Sequence, residues 1–204
     1  QGFTHFHGHY NGAIDYFTLS RENERDWHLN KKSNQETGYS TDLIASAASN
    51  FILKHSKEEE PFFCYVPFNS PHSPFQAPEK YIKKFQHLAG PNSKGKNKSL
   101  RQVVAAMVSC MDDGIGKILK AIDTSGEADN TIVWFFSDNG GIGGLQRNNL
   151  PLRGNKLDVW EGGVRVAAAI RWPNGGIQGG LKISVPLSCI DVCPTLINVS
   201  GGDD

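Results

Sequence analysis

The stretch "TIVWFFSDNGGIGG", residues 131–144, decides how this chain is read. From Thr131 to Phe136 it is a run of β-branched and aromatic side chains, suited to a strand buried on both faces. The run stops at an acid, an amide and glycines. Asp-Asn-Gly-Gly is ordinary turn chemistry, because Asn and Gly tolerate positive φ and Asp accepts hydrogen bonds from the backbone that follows it. Its position gives it weight, since ligands of open α/β sheets collect at the carboxyl ends of the strands. Asp138 and Asn139 both offer oxygen, the donor that hard cations such as Ca²⁺ and Mg²⁺ prefer.

Upstream, "STDLIASAASNFILKH" from Ser40 places Leu43, Ile44, Ala47, Ala48, Phe51 and Ile52 on one face at helical spacing, with Ser40 or Thr41 as the cap. The text "EEEPFFCYVPF" then turns from charged to apolar in one step, and residues 62–67 read as a buried strand that ends near Pro67. A second helix is expected over "SLRQVVAAMVSCMDDGIGKILKAID", leading into the strand 131–137, and a further strand over "VRVAAAIRW". Strands alternating with helices predict an α/β fold, a mostly parallel sheet with helices on both faces.

Two stretches interrupt this pattern. Residues 88–99, "LAGPNSKGKNKS", have no periodicity and read as a mobile, solvated surface loop. Residues 138–163 form an irregular segment of more than twenty residues, a length that in a compact domain points to a loop that builds a site.

With 204 residues the chain can bury a core, and one domain is the default. Lys plus Arg equals Asp plus Glu at 21 each, so bulk charge predicts no nucleic-acid partner. No apolar run approaches the length of a membrane span. Cys64 and Cys110 fall in apolar strand-like and helical text and read as buried thiols, while Cys189 and Cys193 lack the spacing of a zinc site. Sequons occur at Asn97 and Asn198. Residue 1 is Gln and the text ends in "SGGDD", so both termini are expected to be cuts in a longer protein.

A second strand end carries a similar signal. In "NSPHSPFQAP" His72 lies between prolines just past the strand 62–67, so a titratable imidazole and the acid Asp138 are expected at one sheet edge. Lys156, in "PLRGNKLDVWEGG", adds a cation suited to an anionic substrate. His5, His7 and His9 alternate in "THFHGHY", where a transition-metal cluster is the less favoured reading.

These residues also carry a family likeness. "FFSDNGG" followed by "LPLRGNKLDVWEGGVRVAAAIRWP" resembles the sulfatase family of the alkaline phosphatase superfamily, in particular its arylsulfatase B-like branch. "GFTHFHGHYNGAIDYFT", "GYSTDLIASAASNFI", "PFFCYVPFNSPHSPFQAPEKYI" and "DVCPTLINVSG" extend the likeness in collinear order over nearly the whole chain. The likeness implies that Asp138 and Asn139 are two ligands of a divalent cation, usually Ca²⁺. It implies that His72 sits by the ester oxygen and Lys156 by the sulfate and leaving group. Arg153 and Glu161 would hold the loop in shape. The implied function is metal-dependent hydrolysis of a sulfate ester, on a small molecule or a glycan, in a secreted, periplasmic or lysosomal setting.

The chain departs from the family where the nucleophile should be. The family makes a formylglycine from a Cys/Ser-x-Pro-x-Arg motif, and none occurs here; the aspartate pair that completes the metal shell is also absent. "DWHLNKK" is only superficially like the family's Gly-Lys-Trp-His-Leu-Gly motif, with Asp26 where its Lys belongs. Residues 1–204 are therefore expected to be part of a catalytic domain, without its first strands, its nucleophile and its C-terminal subdomain. The alternatives are a phosphomonoester or phosphonate ester hydrolase of the same superfamily and a non-catalytic relative that acts as a binding module.

Overall fold

The computed structural model describes residues 2–90, 99–143, 145, 149–177 and 179–202. The expected surface loop falls mostly on residues 91–98, outside the described residues, as does the sequon at Asn97.

The first forty residues fold into short antiparallel pairs. β1 (His7–Gly8), β4 (His28–Leu29) and β5 (Lys32–Ser33) form one small sheet in the order β1-β4-β5. β2 (Ser20–Arg21) and β3 (Glu24–Arg25) form a separate hairpin, and Glu22 and Asn23 at its tip have φ of 53° and 69°. Positive φ at both central residues matches the twist of the flanking strands. Beneath these ribbons Ile14, Leu19 and Trp27 are buried with Ile44. Asp26 sits beside them and accepts from Tyr10 N, Asn11 N, Asn11 Nδ2 and His28 Nε2 at 2.8–3.1 Å, which satisfies a carboxylate that is only 6% exposed.

Two long helices form the centre. α1 spans Ser40–His55, as the apolar spacing predicts, and every residue of the expected face is at least half-buried. Its cap differs: Tyr39 is the N-cap, and Ser40 and Thr41 lie inside the helix, both fully buried. They face the core, so their hydroxyls are not turned to the helix end. The short α2 (Glu79–Lys84) packs on α3 (Leu100–Ser125) through Tyr81 and Ile82, which share a cluster with Met107 and Cys110. α3 is capped by Ser99 Oγ, which accepts from Gln102 N, and it ends at Gly126 with φ 84°. α1 and α3 cross closely where a Cβ on Gly114 would lie 3.0 Å from Ala45 Cβ. A glycine there lets the two backbones approach.

The sheet differs from the expectation. β6 (Val133–Phe136) pairs antiparallel with β7 (Ala168–Arg171), in a register from Val133↔Arg171 to Phe136↔Ala168. All ladders among the described residues are antiparallel, and the mostly parallel sheet is not found. The connection explains why. Parallel neighbours need a crossover of a dozen or more residues, usually helical. Among the described residues between β6 and β7 the one helix is α4 (Glu161–Val164), a single turn too short to serve as a crossover helix, and β7 returns antiparallel. Nor is β6 buried on both faces, since Phe135 and Phe136 are 40% and 38% exposed.

Residues 62–67 also form no strand, because they have no ladder partner among the described residues. They keep an alternating pattern all the same. Phe62, Val66 and then Phe68 pack against helix residues, while Phe63 and Tyr65 face out. Phe62 and Val133 join one cluster with Ile52, Ala121 and Ile122, so this segment and β6 rest on the same patch of α1 and α3. The chain closes with α5 (Val192–Val199). No described helix is long and apolar enough to cross a membrane.

Candidate active site

His72 belongs to a tight turn in which its N–H donates to Asn69 O at 2.8 Å. Tyr16, wholly buried, points its phenol at the same turn and lies 2.9 Å from Asn69 O and 2.8 Å from His72 O. Ser70, also buried, donates to Met107 O on α3. The turn is thus tied to the core on both sides, while His72 itself is exposed. Its Nδ1 lies 2.8 Å from Ser73 O, and a carbonyl can only accept, so Nδ1 carries a hydrogen. Nε2 is the nitrogen left for chemistry, and it can donate a proton only from the imidazolium form.

At the end of β6, Asp138 is exposed and Asn139 half-buried. Asn139 Nδ2 donates to Asp138 Oδ2 at 2.6 Å, which leaves Oδ1 of each residue outside that bond. The donor type suits a hard cation, but roughly six to eight oxygens surround Ca²⁺ and this pair supplies part of such a shell. No group of three or more His, Cys, Asp or Glu able to hold a metal occurs among the described residues, the histidines of "THFHGHY" included. His7 and His28 pair instead with Glu36 and Asp26.

The described residues of the segment 138–163 fold back on one another through backbone contacts that leave no room for a side chain at Gly140, Gly162 or Gly163. Gly140 N donates to Gly163 O at 2.8 Å, and a Cβ on Gly140 would fall 1.8 Å from Gly162 O. Gly162 N donates to Arg153 O at 2.7 Å. Lys156 N donates to Gly141 O at 2.9 Å, which brings the lysine's backbone to within two residues of Asn139. The Arg153 guanidinium stacks 3.8 Å over the Trp160 ring, and Glu161 pairs with Arg165 at 3.0 Å. The Arg153–Trp160 stack lies within the loop, whereas Glu161–Arg165 is an exposed pair one helical turn apart.

The structure therefore joins Lys156 to the Asp138–Asn139 end of β6, whereas His72 is held separately by Tyr16 and α3. Two supporting residues were not evident in the sequence. Tyr16 is an aromatic in otherwise turn-like text, and only its burial reveals its reach to His72. Asn149 accepts from Gly141 N at 3.0 Å and donates to Gly141 O at the same distance. An amide directly before "LPLRG" was the available signal. A polar groove of about 520 Å³, lined by Tyr10, Arg21, Glu24 and Asp26 among others, contains none of these residues. Its Asp26 and Arg25 are already committed to backbone partners.

Oxygen donors at a strand end, an imidazole and an ammonium are group types that a hydrolase of anionic esters can use. The Sulfatase family profile matches residues 1–202, and the chain belongs to that family. Arylsulfatase J of Mus musculus is 30% identical over 99% of this chain, and steryl-sulfatase of Rattus norvegicus 32% identical over 83%. The chain spans 33% and 27% of these relatives' lengths. Among solved structures, Ps i-CgsB in complex with k-i-k-neocarrahexaose superposes on the whole chain with a TM-score of 0.86 at 32% identity, and the chain covers 47% of it. The "putative sulfatase yidJ from Bacteroides fragilis" superposes on 98% of the chain with a TM-score of 0.74 at 23% identity, the chain covering 44% of it, so the fold is one that sulfatase structures share, although the ladders described here are small and antiparallel.

Proposed function

We propose that the protein carrying this chain hydrolyses sulfate monoesters, with sulfated glycans as the substrate class. One observation carries this reading: the family match runs through the whole chain, including the "PLRGNKLDVWEGG" loop that brings Lys156 to the end of β6. A glycan is favoured because a structure similar over the full chain was solved with a neocarrahexaose.

In this reading the bond that breaks joins sulfur to the ester oxygen, and negative charge grows on the departing alkoxide. His72 Nε2, as imidazolium, donates its proton to that oxygen, and the Nδ1–Ser73 bond holds the ring in position. The Lys156 ammonium lies near the sulfate and leaving group, where it offsets the growing charge. Asp138 and Asn139 would supply two oxygen ligands to a bound Ca²⁺. When bound, the cation supplies Lewis acidity and orients the sulfate. The nucleophile, a formylglycine, and the remaining metal ligands come from residues outside this sequence.

The test is turnover of an aryl sulfate and an aryl phosphate by the intact protein, with Ca²⁺ titrated calorimetrically. Sulfate turnover well above phosphate turnover is expected. Asp138→Ala should remove Ca²⁺ binding and activity together, whereas His72→Ala should keep the ion and lose roughly 10²–10⁴-fold in kcat. Faster phosphate release would support the phosphoester alternative. No turnover of either ester would support a non-catalytic binding module.

A further inference from the structure

The carboxamide of Asn149 occupies a singular place in the loop. Its Oδ1 accepts from Gly141 N and its Nδ2 donates to Gly141 O, both at 3.0 Å, so it pairs with that residue as one peptide pairs with another. The same Nδ2 lies 3.1 Å from Gly154 O and 3.3 Å from Asn155 Oδ1. Gly141 O in turn accepts from Lys156 N. One planar amide therefore ties the segment just after Asn139 to the two residues just before Lys156. Few side chains can do this. Asp has no donor when ionised, and Gln carries the amide one methylene further out. The surrounding backbone cannot slide to compensate, since Gly140 and Gly162 already sit against neighbouring carbonyls.

We propose that Asn149 is a positioning residue: its carboxamide sets the spacing between the Asp138–Asn139 pair and Lys156, and so aligns the ammonium with the anionic ester without touching it. This rests on the sulfatase reading for its kinetic consequence but not for its geometry.

Two arms test it. In the intact protein, amide hydrogen exchange should show Gly141 and Lys156 losing protection in Asn149→Ala by about tenfold or more, while the amides of α1 and α3 keep theirs. In the intact protein, Asn149→Ala and Asn149→Asp should lower kcat by roughly 10²-fold, the loss that a misplacement of about 1 Å can cause. Ca²⁺ affinity should be unchanged. Asn149→Asp adds a signature that simple destabilisation would not produce. The ionised carboxylate faces two carbonyl oxygens and repels them, whereas its protonated form regains a donor, so the loss relative to the unmodified protein should shrink as pH falls. Unchanged protection of Gly141 and Lys156, or a kcat within twofold at every pH in both variants, would overturn the inference. If the unmodified protein turns over no sulfate ester, the sulfatase reading fails and the exchange arm alone decides whether Asn149 sets the spacing.

Discussion

At Gly140 a single methyl decides whether the loop can close. An added Cβ would lie 1.8 Å from Gly162 O, a backbone atom that cannot swing away as a side chain could. Gly140→Ala is expected to cost at least the about 1–3 kcal/mol typical of overpacking. Urea unfolding should show the lowered midpoint, and Lys156 N should lose exchange protection with it. Tyr16 makes the opposite kind of contribution, through a donor. Burial and the neighbouring Tyr39 push its phenol far above the ordinary tyrosine value, so it keeps its proton at neutral pH and can donate. Tyr16→Phe removes the hydrogen bonded to Asn69 O and His72 O and leaves those carbonyls short of a partner. A loss of about 1–2 kcal/mol in denaturant unfolding is expected.

At the scale of elements, the α1–α3 crossing is a tight contact. Gly114 meets Ala45 with no space to spare, and Gly114→Leu should force the helices apart and destabilise the chain by about 1–3 kcal/mol, readable as a lowered Tm. The ribbons before α1 depend on charge instead. Burial pushes the Asp26 carboxyl up, but the donors Tyr10 N, Asn11 N and Asn11 Nδ2, with the charge of His9, outweigh it and hold the group below the ordinary aspartate value. Asp15 is likewise held low: burial raises it, and hydrogen bonds from Gln76, Thr18 and Phe17 more than offset this. A carboxyl whose folded pKa is depressed stabilises the fold fully above its unfolded value, about 4, and loses that contribution as pH falls through the folded value. Acid unfolding followed by tryptophan fluorescence should therefore begin below about pH 4. Asp26→Asn should flatten that dependence and lower stability at neutral pH.

For the molecule as a whole, the 204-residue chain by itself is expected to release no sulfate from an aryl sulfate, because it contains no Cys/Ser-x-Pro-x-Arg motif. Measurable sulfate in that assay would show that a nucleophile lies within these residues. The two long helices were legible because each carries a local code: α1 through six apolar residues at 3.6-residue spacing, α3 through that spacing plus Ser99 and Gly126 at its ends. The candidate residues His72, Asp138, Asn139 and Lys156 were legible as chemistry at segment ends and as matches to a family motif. What the text by itself determined is therefore the two long helices, the position of the long loop and the family; the short α2, α4 and α5 were not read from it. Only the tertiary structure decided the pairing of β6 with β7, the lack of a ladder partner for residues 62–67 among the described residues, and the contacts of Tyr16 and Asn149. The physical reason is range. A helix satisfies its hydrogen bonds among residues four apart, so local text suffices for it. A strand, a phenol donor and a loop-bridging amide are satisfied by partners far along the chain, and strand-like text such as "FFCYVPF" looks the same with or without a neighbour to receive it.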